Sequence, residues 1–510
     1  MRTVSGPSER IVIVGAGLGG LACALRLAST GRDVTVVERE ARPGGRAGRL
    51  SLRGYEFDTG PTVLTMPEIL AETFAAAGED MADWLTLDRL DPAYRAFFPD
   101  GSSLDVIADS ARMADEITRV CGAREAAGYL RFVDYTRRLW DLQRHDFIDR
   151  NLDSPRDLLH LGLLRLIGQG GFRRLSTKVN EYFADPRTRR IFSFQSLYAG
   201  VAPHQALALY AVISYLDTIA GVYFPRGGIH AVPQALASAA EKNGVTFRFD
   251  TRVSSVEVAG GRARGVLTAD GERIPADVVI LNPDLPVAYR DLLPRTPRRI
   301  TRLRQSPSAV VLHIGSKQRY ARIAHHNIHF GRAWRGTFDQ IIRRGDLMSD
   351  PSLLVTNPTR TEPGLAPPDR EIYYVLAPAP NLVVGDQAWR AGLTQRYAAE
   401  LVSTLEQRGY HDFGAGIELS HVVTPADWAA SGMAAGSPFA SAHTLWQTGP
   451  FRPGNLHPTL DNVVFVGSGT QPGVGVPMVL ISGKLAAQRV TRSEERRVGK
   501  ECRSRWSPYH

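Results

Sequence analysis

Hydrophobic and polar positions change period several times along the chain, and each change predicts a different element. Residues 10–39 read RIVIVGAGLGGLACALRLASTGRDVTVVER. The unbroken run IVIV predicts a short strand buried on both faces, as in a parallel sheet. Beyond the glycines, Leu21, Ala24, Leu25 and Ala28 recur at helical spacing, and Gly31 supplies a stop. DVTVVE then predicts a second strand closing on Glu38.

From residue 66 to 160 the period becomes helical. MPEILAETFAAAGED and DSARMADEITRVCGAREAAGYLRFVDYTRRLWDLQ predict amphipathic helices, and AYRAFFPDGSSLDVI predicts a strand pair turning at Asp100-Gly101. Residues 155–178 carry a leucine stripe with Ile167, flanked by Arg165, Arg173, Arg174 and Lys178. This pattern fits a core helix with solvated ends or an interfacial helix dipping into a bilayer. Residues 191–228 are rich in aromatics, with Asp217 as the only acid, a pattern that predicts core. Strand patterns return in VTFRFDTRVSSVEV, VVIL, AVVLHI and EIYYVL, with a proline-rich loop before the last. WRAGLTQRYAAELVSTLEQRG predicts a surface helix stopping at Gly409. Residues 461–490 repeat the opening theme: the strand VVFVG runs into GSGTQPGVGVPMVLISGKLAA, which predicts a glycine turn and a helix starting near Gly475–Pro477.

The expected fold class is α/β. A discontinuous Rossmann-like dinucleotide domain is expected from 1–90, 225–285 and 455–490. A region with a mixed sheet and helices, binding substrate and membrane, is expected from 91–224 and 286–454.

Composition narrows the classes. With 510 residues, 43% hydrophobic and 22% charged, the chain is globular and long enough for two or three domains. The net charge of +9 comes with only five lysines and no dense basic run in the body, which argues against a nucleic-acid partner. Cys23, Cys121 and Cys502 have no metal-ligand spacing, so neither a metal site nor a disulfide framework is expected. No run of about twenty apolar residues exists, so no membrane span is expected, and the few scattered cysteines fit a cytoplasmic location, with peripheral membrane association left to the substrate that the resemblance below implies. RSEERRVGKECRSRWSPYH at 492–510 resembles a translated sequencing adapter, and residues 491–510 are expected to be an artefactual tail. Without 492–510 the net charge falls from +9 to +6, since six basic and three acidic residues leave. Oligomeric state is not encoded in these patterns.

The chemistry begins at Gly15, Gly17 and Gly20. This G-x-G-x-x-G follows a strand, opens a helix and precedes an acid at the end of the next strand. Gly15 allows the turn, Gly17 lets backbone amides approach a pyrophosphate, and Gly20 lets helix and strand pack closely. Glu38 can accept hydrogen bonds from a ribose 2′-hydroxyl.

Gly44-Gly45-Arg46, Asp58-Thr59-Gly60-Pro61, Phe224-Pro225-Arg226-Gly227-Gly228 and the closing motif follow. Together with the first turn they resemble the flavin amine oxidase superfamily, and the bacterial phytoene and carotenoid desaturases in particular, over residues 9–490. The resemblance implies FAD held by Gly15, Ala16, Gly17, Leu18, Gly19, Gly20, Glu38, Arg39, Gly44, Gly45, Arg46, Thr59, Gly60, Pro61, Val253, Gly467, Gly469, Gly475, Val476 and Pro477. It implies desaturation of a C40 precursor, phytoene towards lycopene, by hydride loss to flavin. The implied partners are a long apolar polyene, a membrane surface, and oxygen or a quinone as electron acceptor. This chain has Gln471 where many members have histidine. No base stands out; His204 and Asp217 are candidates because they lie in the apolar segment. Other carotenoid desaturases or isomerases, a flavin amine oxidase, and a flavin-free isoprenoid escort protein are the alternatives.

Overall fold

The structure, a computed structural model, describes residues 1–385 and 389–504, with the side chains of 391 and 492–504 outside the described residues. The expectation for the tail beyond 491 therefore lies outside what its side chains could test. The backbone of the last helix runs Val476–Ser504.

The first sheet has five parallel strands in the order Val463–Phe465, Val278–Leu281, Arg10–Val14, Asp33–Val37 and Thr246–Arg248. The three central strands are almost continuous β-branched and leucine runs because both faces are covered. The strands end on one edge, so Gly15, Glu38, Asn282 and Gly467 meet there. In open parallel sheets this carboxyl edge is where ligands bind.

Helix Leu18–Ala28 packs on the sheet and under the closing helix. Gly20 makes the first contact possible, because a Cβ there would overlap the Gly15 carbonyl. Gly483 makes the second possible: its Cβ would sit 2.8 Å from both the Ala22 Cβ and the Gly19 carbonyl. Two backbone segments distant in sequence thus lock together through glycines.

The second sheet has seven strands in the order Ile417–Val423, Ser308–Ser316, Glu371–Ala379, Leu353–Thr356, His326–His329, Tyr94–Phe97 and Ser103–Val106. Neighbours are antiparallel except His326–His329 and Tyr94–Phe97. The hairpin turn at Gly101, with φ of 83°, is the one expected at Asp100-Gly101. Three strands had no sequence signal. HNIH at 326–329 is polar yet fully buried, and each of its polar side chains has at least one partner, although His326 Nε2 has none. His326 Nδ1 meets Thr356 Oγ1 at 2.8 Å, Asn327 Nδ2 donates to Ala324 O at 2.7 Å, and His329 Nε2 meets the Tyr410 hydroxyl at 2.9 Å. Burial pushes both imidazoles well below their ordinary pKa, His329 to about 3, so the strand carries no charge.

The region 155–178 is not one helix. It breaks into the turn Pro155–Leu158, helix Leu161–Gly168 and helix Leu175–Val179, because a run of three glycines in four residues (168–171) cannot continue a helix cheaply. Residues 191–228 form a succession of short helical turns around a single strand, Tyr223–Pro225.

Candidate cofactor and substrate site

One large cavity, about 1360 Å³, runs along the carboxyl edge of the parallel sheet and against the face of the seven-stranded sheet. That volume exceeds the roughly 300–1,000 Å³ of a typical small-molecule pocket. Gly15, Gly17, Leu18, Gly19, Glu38, Arg39, Gly44, Gly45, Arg46, Thr59, Gly60, Pro61, Val253, Gly467, Gly475, Val476 and Pro477 all line it. Ala16, Gly20 and Gly469 stand behind its wall: the Ala16 amide donates to Glu38 Oε2 at 2.6 Å, Gly20 backs onto Gly15, and Gly469 backs onto Leu285.

Glu38 is buried. Its two carboxylate oxygens accept from the amides of Ala16 (2.6 Å) and Glu40 (3.0 Å), which fixes the side chain at the cavity edge with lone pairs to spare. The second glycine pair folds back on the first turn. The Gly44 amide donates to Ala16 O at 2.9 Å, and the Gly45 α-carbon side faces the Gly17 α-carbon. Gly60 packs directly on the Arg46 carbonyl, where any Cβ would clash. Arg46 donates to Ser468 Oγ at 2.8 Å and lies 3.6 Å from Asp284 Oδ1, while its buried Nε has no acceptor. A buried guanidinium with an unused donor beside a backbone cradle fits an anionic dinucleotide. The residues present fit FAD.

Three residues of the site, Asn282, Asp284 and Arg452, had no local sequence signal. Asn282 lies between the two glycine turns: its Nδ2 donates to Val466 O at 3.2 Å, and a Cβ on Gly17 would come within 2.7 Å of its Oδ1. Its position directly after the buried strand Val278–Leu281 is the signal that could have found it. Asp284 accepts from the Ala434 amide at 2.8 Å and ties the 431–434 loop over the cavity. Arg39 does the same from the other side, donating to Ser431 O at 2.8 Å. Arg452, 1% exposed, donates to the carbonyls of Thr470 (3.0 Å), Ser468 (2.5 Å), Ser441 (3.2 Å) and Gln447 (3.4 Å). Among the described residues no carboxylate sits at ion-pair distance from it, and burial lowers its pKa to about 10. It is a buried cation beneath the closing motif.

Gln471 is a bridge. Its Nε2 donates to the carbonyls of Leu152 (3.0 Å) and Gly449 (3.2 Å), and its Oε1 accepts from the Leu152 amide at 3.3 Å. It joins the closing motif to the helical region across the cavity wall.

The two candidates for a base separate. Asp217 lines the cavity. His204 does not: its ring faces Asp339 at 3.6 Å, and burial lowers its pKa. His204 therefore stands outside the cavity lining, beside the Arg335–Asp339 helix.

One stretch of the remaining cavity wall is apolar. Val212, Ile213, Leu216 and Tyr210 come from the succession of turns, and Phe147, Leu163, Leu166 and Phe172 from the neighbouring segment. Helix Leu161–Gly168 thus turns Leu163 and Leu166 inward, while Leu161, Leu164 and Ile167 are exposed on its other side. Leu159 (79% exposed) and Trp446 (72%) extend the exposed apolar surface beside the cavity residues Leu158 and Leu445.

Comparison with known proteins shows the family of the chain. The sequence profile of the flavin containing amine oxidoreductase family matches residues 18–491. A phytoene dehydrogenase of Streptomyces griseus is 56% identical over 493 residues, covering 96% of this chain and 97% of that protein. A zeta-carotene-forming phytoene desaturase of Myxococcus xanthus is 39% identical, covering 96% and 95%. The solved structure of cyclohexylamine oxidase from Brevibacterium oxydans has the same fold, with a TM-score of 0.58, 16% identity and coverage of 96% and 100%. The chain belongs to the flavin-containing amine oxidoreductase family, as an FAD-dependent oxidoreductase with carotenoid desaturases among its relatives.

Proposed function

We propose that the protein desaturates a C40 carotenoid precursor, phytoene towards lycopene, drawing it from a membrane surface and passing electrons to oxygen or a quinone. One observation carries the reading: a dinucleotide cradle and a long apolar passage share one cavity, and that passage lies behind an exposed apolar helix. A hydrocarbon offers almost no polar handles, so an apolar passage is the complement it needs. The Streptomyces and Myxococcus relatives, named for phytoene, support the same substrate class.

Bound flavin would supply the two-electron oxidation, and the protein supplies binding, orientation and electrostatics. Glu38, Arg46 and the glycine turns would hold the dinucleotide. Gly475, Val476 and Pro477 bring the positive end of the closing helix to the cavity, and Arg452 adds a full charge behind it. Both favour negative charge developing on a group packed there. The tyrosine and aliphatic wall from 198 to 216 excludes water from the reacting carbons.

The test is expression of residues 1–490 in a host that accumulates phytoene, followed by analysis of its extracted pigments. New, more conjugated carotenoids are expected. Unchanged phytoene with a folded, flavin-loaded protein rejects phytoene as substrate.

Membrane docking makes its own prediction. No described helix is long and apolar enough to cross a membrane. The basic residues expected to flank a docking helix are largely tied up: Arg173 and Lys178 both pair with Glu181, and Arg174 donates to Gln205 O at 2.6 Å. Docking here is therefore apolar more than electrostatic. Leu161→Glu with Leu164→Glu should weaken binding to phosphatidylcholine vesicles by at least about 100-fold, from about 1.5–3 kcal/mol per leucine. Flotation assays measure this, and high salt should change the wild type little. Equal flotation of the double variant rejects this helix as the docking surface.

A further inference from the structure

Among the described residues, the buried carboxylates other than Asp217 are tied to hydrogen-bond donors. Asp58 accepts from the amides of Ile229 (2.8 Å) and His230 (3.0 Å). Glu125 accepts from the Ala184 amide (2.9 Å) and Thr188 Oγ1 (2.6 Å). Glu371 accepts from Thr359, Asn357 and Arg319. Each of these holds two chain segments together. Asp217 does not: it is 4% exposed, its Oδ2 has no hydrogen-bond partner, and it lines the large cavity. Leaving a buried carboxylate oxygen unmatched costs free energy that a purely structural residue would have no reason to bear.

Its position is also pertinent. Asp217 lies in the turn Tyr215–Ala220, just before the strand Tyr223–Pro225. The Tyr223 amide donates to Leu64 O at 2.8 Å, which sets this segment against residues 61–65. Pro61, Thr62, Val63 and Thr65 line the same cavity, directly after Gly60. The segment that follows Asp217 therefore abuts the stretch directly after Gly60, and Asp217 and that stretch line one cavity.

We propose that Asp217 is the base that takes the proton lost from the substrate during desaturation, an assignment that rests on the desaturase reading above. In the step, one carbon of a CH–CH pair loses a hydride to the flavin oxidant, and its neighbour loses a proton to the Asp217 carboxylate. The electron pair of that second C–H bond becomes the new C=C bond. The flavin gains two electrons, and the carboxylic acid later releases its proton to water.

The surroundings suit the task. Burial raises the Asp217 pKa to about 7, so the group is near half ionised at neutral pH, where a base is most effective. The groups facing it are the phenols of Tyr94, from strand Tyr94–Phe97, and Tyr198, from the 194–201 segment. Burial pushes both phenols up, so they stay neutral, and the Tyr94 phenol lies near enough to favour the ionised carboxylate. Helix Ala123–Gln143 packs on the turn through Trp140, stacked on Tyr215, and contributes no charge to Asp217. The ionised fraction therefore rises with pH through about 7, and the rate of substrate-driven flavin reduction should rise with it.

The test is Asp217→Asn in the flavin-loaded protein, with anaerobic flavin reduction by phytoene in liposomes as the kinetic readout. A loss of about 10²–10⁴-fold is expected, with unchanged flavin content and melting temperature. A second readout needs no turnover: infrared difference spectra between acid and alkaline pH should show a protonated carboxyl that titrates near neutrality in the wild type and is missing from the variant. Wild-type reduction rates in the folded variant, or no such titrating carboxyl, overturn the proposal while leaving desaturation intact. A wild type that is inert towards phytoene but oxidises another substrate removes the desaturase reading instead. If the asparagine variant sheds flavin, Asp217→Glu decides: partial activity with a displaced pH profile supports the base, and an unmoved profile overturns it.

Discussion

Glu38→Ala should cost the protein its cofactor without costing it the fold. The carboxylate is buried, braced by the Ala16 and Glu40 amides, and placed at the cavity edge. Its loss removes a charge-assisted hydrogen bond to the dinucleotide and loosens the first glycine turn. Charged hydrogen bonds contribute about 1.5–3 kcal/mol, so the dissociation constant for FAD should rise by about 10–100-fold. Glu38→Gln, which keeps one carbonyl acceptor of the same shape, should fall between. Flavin retained through gel filtration measures the effect, and melting in excess FAD checks the fold. A variant that leaves the column as yellow as the wild type would place the ribose contact elsewhere.

Arg452→Met should have the largest effect on stability of any single change considered. The side chain is replaced at similar volume, yet the carbonyls of Ser441, Gln447, Ser468 and Thr470 lose their common donor. Buried acceptors without partners cost about 1–3 kcal/mol each when unrelieved, and partial relaxation sets the total near 4 kcal/mol. That is a large fraction of the ~5–15 kcal/mol that holds typical proteins folded. The loss should be concentrated at the closing motif, so FAD release and unfolding should coincide. Arg452→Lys keeps the charge but can satisfy fewer carbonyls, and should recover part of the loss. Urea midpoints unchanged within error in Arg452→Met would mean that water replaces the guanidinium freely.

Much of the nucleotide-binding half was legible because its physics is local. A doubly buried strand must be a continuous apolar run, a tight turn under a helix must be glycine, and the acid closing the second strand is a fixed distance on. IVIV, VVIL and VVFVG announce themselves for that reason. What stayed hidden depends on partners distant in sequence. HNIH reads as loop until Thr356 and Tyr410 are known to satisfy it. Arg452 reads as one more surface arginine in an arginine-rich chain. The 191–228 stretch showed no period because it is built from short turns, which periodicity cannot detect. Asp217 and His204 looked equivalent in sequence; only packing placed one at the cavity and the other against Asp339.

The sheet order carries a consequence for how the protein comes into being. Strand Arg10–Val14 is flanked by strands from 33–37 and 278–281, and the helix covering it from outside comes from 476 onward. The Val4 amide even donates to the Arg489 carbonyl at 2.9 Å. At about 5–20 residues per second, synthesis leaves the first glycine turn waiting roughly 20–90 s for the segment that completes it. During that interval the part of helix Leu18–Ala28 that the closing helix covers stays exposed. The cofactor site is complete only once residues 467–477 have been made, so the nascent chain passes through a long exposed stage in which chaperone capture competes with aggregation. Yield in a foreign host should then depend more on chaperone supply than on flavin supply.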